Sequence, residues 1–431
     1  MNFKDLHPNL RLRVGVGFVQ RFFDIMLVPL MVIHFAKLYG PATAGLMTLT
    51  VSLAAITCNL VGGHLSDTYG RRPVLLGGEL GAFLAYAGLA LVASPVGGGD
   101  GVAMFVLYLC AACSAGTALP ANDAMLVDVT TTESRTAVYT INYWSTNLAF
   151  MLGSLVGGFF YNGYFFQLLA AAAVMLGANF TTTFFGISET APAEGTANPR
   201  GVKSALVGYV SVLRDRVFLR LILAALLVRS VEVQISSSIA VRLGDHFTTQ
   251  DLIHIGSWQL RVTGVNMLGI MRAVNTLLVV CCALWLGKLL GRVDERRRLM
   301  VGLVIFTLGY MVWAVSGDAW TLIVATFVVT AGELMSAPVK QTLLANAVPD
   351  HSRTKYMAAY GLQIRLGLLV GSLCVTLSAV VPSWGMAVLY AVFGAAAMVL
   401  YRALFRAQDA QEAARAAGPA ASAAPESAVA R

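Results

Sequence analysis

The chain has 431 residues, 57% of them apolar and only 12% charged, with a formal net charge of +8 and a mean hydropathy of +0.72. Charge this sparse excludes a soluble enzyme, and the lack of ~10-residue polar/apolar alternation excludes an outer-membrane β-barrel. The apolar residues instead come in runs of about 20, the length a helix needs to cross roughly 30 Å of hydrocarbon.

In chain order these runs predict spans near 13–38, 42–65, 73–95, 102–126, 138–161, 164–187, 217–241, 266–290, 299–316, 320–344, 357–380 and 384–405. The first apolar run is too long for a signal peptide and no small-residue cleavage site follows it, so it is expected to stay in the mature protein. The expected class is an all-α integral membrane protein with twelve transmembrane helices in two six-helix halves. The domain reading is a first bundle at 1–187, a linker at 188–216, a second bundle at 217–406 and a disordered tail at 407–431. Pro192, Gly195, Pro199 and Gly201 mark the linker. The tail is Ala-rich with scattered Glu, Ser and Pro, and can bury little. The connection 242–265 reads as a long loop holding Trp258, an interfacial anchor.

Basic residues alternate between loops. Arg11 and Arg13, Arg71 and Arg72, Arg135, the cluster from Arg200 to Arg220, Lys288 to Arg298, Arg353 with Lys355, and Arg402 with Arg406 fall on one side; Lys37, Arg242 and Arg261 fall on the other. This positive-inside pattern places both termini in the cytoplasm and makes the excess charge topological rather than a nucleic-acid footprint. All six cysteines lie inside predicted spans, where they read as small apolar side chains, not as a disulfide framework or a zinc site.

Between spans two and three stands Gly63-His64-Leu65-Ser66-Asp67-Thr68-Tyr69-Gly70-Arg71-Arg72. Physically, Gly63 allows close helix approach, Gly70 permits the turn, Asp67 offers an acceptor near a helix N-terminus, and the two arginines hold the loop on the cytoplasmic side. This G-x-L-S-D-x-x-G-R-R spacing resembles the signature loop of the major facilitator superfamily. Asn9-Leu10-Arg11-Leu12-Arg13, Ala124-Met125-Leu126-Val127-Asp128, Tyr143-Trp144-Ser145-Thr146-Asn147-Leu148 and Gly332-Glu333 with Pro338 and Gln341-Thr342-Leu343 resemble its drug:proton antiporter branch. The likeness reaches all but the last ~25 residues. Asn142 and Ser236 stand where that branch has carboxylates. Gly153-x-x-x-Gly157-Gly158 half-matches the branch's antiporter motif, lacking its proline, and reads equally as a small-residue packing face or a hinge.

Ionisable groups at membrane depth are costly and mark candidate function. Glu333 falls near the middle of span ten, and the resemblance implies a role in substrate binding and proton coupling. Arg21 and Asp24 in span one, like Arg229 and Glu232 in span seven, are three apart and share a helix face, so each pair reads either as cavity lining or as a neutralised packing pair. Arg365 and Arg272 are further cavity candidates. Glu79 and Asp123 sit nearer the cytoplasmic ends, where solvation is easier, and His34 reads as interfacial. Asp67 with Asp128 and Arg71 or Arg72 is expected to latch the cytoplasmic side.

No G-x-x-x-x-G-K-[ST], G-x-S-x-G or H-E-x-x-H is present, so neither ATP hydrolysis nor acyl or metal-assisted chemistry has an obvious home. The resemblance therefore implies a non-enzymatic, proton-coupled exporter of amphipathic small molecules in the bacterial inner membrane. It is expected to be a monomer, to need no cofactor beyond protons, and to partner membrane lipids and no nucleic acid. A dedicated exporter of one zwitterionic or anionic metabolite or lipid is the alternative.

Overall fold

The computed structural model describes residues 8–128, 132–190, 214–290, 293–348 and 353–417. Hydrocarbon offers backbone groups no hydrogen bonds, so apolar runs of this length close their own as helices. They are α1 (Pro8–Tyr69), α2 (Arg71–Ala93), α3 (Gly101–Asp128), α4 (Thr132–Gly186), α5 (Arg216–Glu232), α6 (Ser238–His246), α7 (Gly264–Leu290), α8 (Glu295–Val315), α9 (Ala319–Ala347), α10 (Arg353–Leu377) and α11 (Ser383–Ala417). Leu60, Phe185 and Val380, 68%, 82% and 80% exposed, belong to an apolar outer surface suited to lipid.

Nine of these helices among the described residues are long and apolar enough to cross a membrane. The difference from the expected count has a local cause. Within α1 the backbone breaks at Gly40, whose φ of 78° few other residues adopt, and Pro41 starts the next helix with its φ already set. Within α4 the break is Asn162–Tyr164, with Gly163 at φ 95°. Each therefore holds two expected spans. The expected span 217–241 is itself interrupted: a 3₁₀ turn, Val233–Ser236, separates α5 from α6.

Two further expectations change. The connection 242–265 carries an antiparallel hairpin, β1 (Gln250–Ile255) and β2 (Trp258–Val262), turning at Gly256 with φ 60°. Gln250 pins it to the α8–α9 loop, donating to the Gly317 carbonyl at 2.6 Å and accepting from the Ala319 amide at 2.9 Å. In that loop Asp318 caps α9, and the Thr321 amide and hydroxyl hold its carboxyl below the usual carboxylate range. The helix expected to end at 406 continues to Ala417, since Ala, Gln and Glu are strong helix formers, and Arg296 bonds both carboxylate oxygens of Asp409. Residues 418–431 of the expected tail, and 191–213 of the linker, lie outside the described residues.

The turn at Gly70 that ends α1, followed by Arg71 and Arg72, lies at one pole; the hairpin marks the other. At the hairpin pole α4 meets α7 so closely that a Cβ on Gly158 would stand 3.0 Å from the Gly269 Cα. Asn266 donates to the Gly158 carbonyl at 2.9 Å, and Asn162 to the Thr263 hydroxyl at 3.1 Å. A Cβ on Gly45 would stand 2.9 Å from the Ser372 carbonyl. These contacts join the two halves of the chain at the hairpin pole.

Helices α8 and α9 meet through Gly302 and Gly332: a Cβ on Gly332 would stand 2.6 Å from the Gly302 carbonyl and 2.8 Å from the Phe306 Cα. Gly332→Leu is therefore expected to destabilise the purified protein by about 1–3 kcal/mol through overpacking. Gly361→Ala, with nothing within 4 Å of the new methyl, should leave stability equal or higher. Thermal unfolding in detergent checks the contrast; equal midpoints would contradict this packing.

Candidate functional site

Midway between the poles the halves enclose a cavity of about 440 Å³, walled by α1, α3, α4, α5, α7, α8, α9 and α10. Phe150, Phe306, Tyr108, Tyr310 and Trp313 give it aromatic surface, while Asp24, Glu232, Glu333, Arg229 and Arg272 bring charge. Glu333 is the central residue of the 29-residue α9, as far from water as that helix allows.

The three carboxylates are held unequally. Glu232 is neutralised twice: Arg229 donates to it at 2.9 Å from one turn earlier, and Lys340 reaches it at 3.4 Å from α9. Glu333 accepts one bond, at 3.0 Å from the Asn275 amide. The second N–H of that amide goes to the Thr330 hydroxyl at 2.9 Å, so both donors are spent and Asn275 is fixed in orientation. No cation lies within ion-pair distance of Glu333 among the described residues. Asp24 lines the cavity without a hydrogen bond or ion pair among the described residues. Arg272 donates to the Ser236 hydroxyl and lies 5.8 Å from the centre of the Phe150 ring.

Of the residues singled out for the cavity, Glu333, Asp24, Glu232, Arg229 and Arg272 line it, and Arg21, Asn142 and Arg365 do not. Arg21 turns from Asp24 to the Asn142 side-chain carbonyl at 2.6 Å. The neutral Asn142 thus serves as acceptor where the resembling branch has an acid. Arg365 crosses to Asn59 at 2.5 Å. Sequence reasoning missed Lys340 and Asn275. Lys340 lies seven residues after Glu333, two turns along the same helix face, and that spacing could have found it; Asn275 carries no such signal.

In the signature loop Gly70 takes φ 94°, a turn that glycine permits. The close approach falls on Gly62 and not on Gly63: a Cβ on Gly62 would stand 2.7 Å from the Thr117 Cα, while one on Gly63 meets only Pro120 at 3.8 Å. At the N-terminus of α2 Asp67 is not the acceptor. It is exposed, with no hydrogen bond or ion pair among the described residues. Glu189, just past α4, accepts from the Arg71 and Arg72 amides at 3.2 and 2.9 Å and caps α2. Arg72 donates to the Phe184 carbonyl at 2.6 Å. The side chain of Asp128 lies outside the described residues. Glu79 is buried, contrary to the expected solvation, and accepts from the Thr183 hydroxyl at 3.1 Å; Asp123 is exposed. His34 stacks on Phe165 with centroids 4.8 Å apart.

The sequence profile of the Major Facilitator Superfamily matches residues 14–265 and 258–428. A "Na(+), Li(+), K(+)/H(+) antiporter" of Planococcus maritimus is 26% identical over 388 residues, 88% of this chain and 91% of that protein. The "Multidrug resistance protein MdtH" of Yersinia pestis is 24% identical over 350 residues, 80% of each chain. Among solved structures, a POT family transporter in complex with 5-aminolevulinic acid superposes with a TM-score of 0.71 at 14% identity, covering 94% of this chain and 98% of that one.

The unequal pairing and the Glu189 cap are each testable. Glu232→Gln leaves Arg229 and Lys340 facing each other uncompensated, whereas Lys340→Gln leaves Glu232 paired with Arg229. Glu232→Gln should therefore lower the unfolding free energy in detergent more, by about 1–3 kcal/mol for a lost bond to a charged group. Glu189→Ala should cost about 0.5–2 kcal/mol of α2 stability and speed amide exchange at Arg71 and Arg72. Unaltered exchange at those two amides would remove the cap.

Proposed function

The chain belongs to the major facilitator superfamily, and from that membership we propose that it is a proton-coupled secondary active transporter exporting amphipathic small molecules by alternating access. Glu333 carries this reading: a carboxylate at the centre of its helix, facing the cavity, with a neutral amide in place of a cation. A charge so placed is costly, and a proton removes the cost. Protonated Glu333 is neutral and tolerates an apolar guest or an empty cavity. Deprotonated, it attracts a cationic group or water, and either change alters which arrangement of the halves is favoured. Glu232, held between two cations, keeps its charge throughout and serves as the fixed part of the site.

In this reading the basic-loop pole and both termini face the cytoplasm of a bacterial inner membrane, in keeping with the positive-inside rule. The hairpin pole, where the halves are joined, then faces out, and the cavity loads from the inside. One proton moving down the electrical gradient supplies about 2.3 kcal/mol per 100 mV, roughly a 50-fold accumulation. The protein acts as a monomer and needs no cofactor.

A monovalent-cation/proton antiporter is the second reading. It is favoured by the bare carboxylate of Asp24 and by the Planococcus relative that aligns over most of the chain. Against it stand the cavity's size and its two arginines, which an alkali cation does not require.

In proteoliposomes, addition of an amphiphilic substrate should release protons, and Glu333→Gln should abolish that release while leaving the thermal midpoint within a few degrees of the parent. Proton release evoked by Na⁺ or K⁺ and by no amphiphile would favour the second reading. Transport unaffected by Glu333→Gln would remove the residue from the coupling step.

A further inference from the structure

Three charged side chains in the cavity have no opposite charge bonded to them; Glu333 is held by the Asn275 amide, which leaves Asp24 and Arg272. Asp24, from α1 in the first half, has no hydrogen bond or ion pair among the described residues. Arg272, from α7 in the second half, spends one Nη on the Ser236 hydroxyl, and its neighbouring Nε has no partner. Arg229 and Glu333 are the charged groups near Arg272, both beyond ion-pair distance. The Nε and Nη of one guanidinium edge match the two oxygens of a carboxylate, and that pairing is about twice as strong as a bond to a neutral hydroxyl. Ser236 therefore occupies one position of this edge and the other, Nε, is buried without a partner, so a carboxylate takes the edge by displacing the Ser236 hydroxyl.

Around Asp24 the walls are aromatic, and the charged group near it, Arg21 one turn earlier on α1, is turned away to Asn142. Tyr108 lines the cavity beside it, and Tyr86 packs close by. A carboxylate with aromatic walls is the usual setting for an ammonium group. Phe150, Phe306 and Trp313 line the same cavity and give it apolar surface.

The geometry points to a substrate that is an amine–carboxylate zwitterion with an apolar body, its ammonium on Asp24 and its carboxylate on the Nε edge of Arg272. This rests on the transport reading above and narrows the substrate class for the same cavity. Because one charge is gripped by each half, such a molecule ties the halves together. A purely cationic guest leaves Arg272 half satisfied, and a purely anionic one leaves Asp24 bare. Transport of a species that contacts both halves needs no further device to register that the site is full, since the substrate itself is the link.

The test uses the full-length purified protein and three matched probes of equal length: a phenylalkylamine, a phenylalkyl carboxylate, and an aryl amino acid carrying both groups. Calorimetric titration should give the zwitterion an affinity about tenfold or more above either single-charge probe. Arg272→Gln should erase its advantage over the amine while the amine binds at least as tightly as to the parent, since a like charge has left the cavity, and that retained binding also reports that the variant is folded. Arg272→Lys, which keeps the charge and loses the two-pronged edge, should retain part of it. Asp24→Asn should erase the advantage over the carboxylate. Equal affinity for amine and zwitterion in the parent protein, or an Arg272→Gln loss shared equally by both probes, would overturn the assignment. Proton release in proteoliposomes separates this from the broader reading. Release evoked by the amine as readily as by the zwitterion sinks the zwitterion and leaves proton-coupled export standing. A zwitterion preference in binding with no proton movement supports the ligand class and overturns the coupling.

Discussion

A charge carried to the middle of a bilayer must be paired, neutralised by a proton or placed against a wet cavity, because the hydrocarbon offers it nothing. This constraint organises the centre of the molecule. Glu232 takes the first solution, with Arg229 on its own helix and Lys340 from α9. Arg21 takes a cheaper form of it, resting on the neutral side chain of Asn142. Glu333, Asp24 and Arg272 are left on the cavity wall, satisfied by amides, hydroxyls or nothing. A buried pair is inert because both members are already content. In the proposed reading the working groups are therefore the ones left over once pairing is complete.

The cavity exists because the helices elsewhere come very close. Gly158 on Gly269, Gly45 on the Ser372 carbonyl, and Gly302 on Gly332 leave no room for even one methyl group. Without a hydrophobic force between helices in lipid, contact of this kind, with a few interhelical hydrogen bonds, holds a bundle together. Asn266 and Asn162 supply such bonds at the hairpin pole. Between the halves, Gly158 on Gly269 and Gly45 on the Ser372 carbonyl lie toward the hairpin pole, whereas Gly302 on Gly332 holds α8 to α9 inside the second half.

Much of this architecture was legible in the sequence because span length and apolar run length are the same quantity. The breaks at Gly40 and Gly163 fall where adjacent runs were separated, and the Arg229–Glu232 pair follows from helical spacing alone. The same reasoning misplaced Arg21, since a residue three positions away is a candidate partner and not an obligatory one. Asn142, 121 residues off, won that competition. Glu189 capping α2 was out of reach for the same reason, being set by how the end of α4 packs and not by local spacing. The hairpin was readable in principle: Gln250–Ile255 and Trp258–Val262 flank Gly256-Ser257 with partial alternation, but the long apolar runs on either side masked so short a period.

The interrupted helix between α5 and α6 ties these observations together. An unbroken helix from Arg216 to His246 would carry Ser236 and Glu232 on one rigid axis. The 3₁₀ turn at Val233–Ser236 instead ends the first segment at the paired carboxylate and puts Ser236, the partner of Arg272, at the break. The Tyr310 hydroxyl donates to the Glu232 carbonyl at 3.2 Å, fixing one side of the break; the Ser238 hydroxyl bonded to Tyr390 at 2.6 Å fixes the other. Eight residues beyond Ser236, Gly244 packs against Ile33 of α1 at the hairpin pole, where an added Cβ would meet the Ile33 side chain at 2.9 Å. A ligand that takes Ser236's place on Arg272 frees the residue at the break. The short helix α6, set off from α5 by the turn, carries the Gly244 contact with α1. The cavity's Arg272 and the α6 contact at the far pole thus meet in a single four-residue turn.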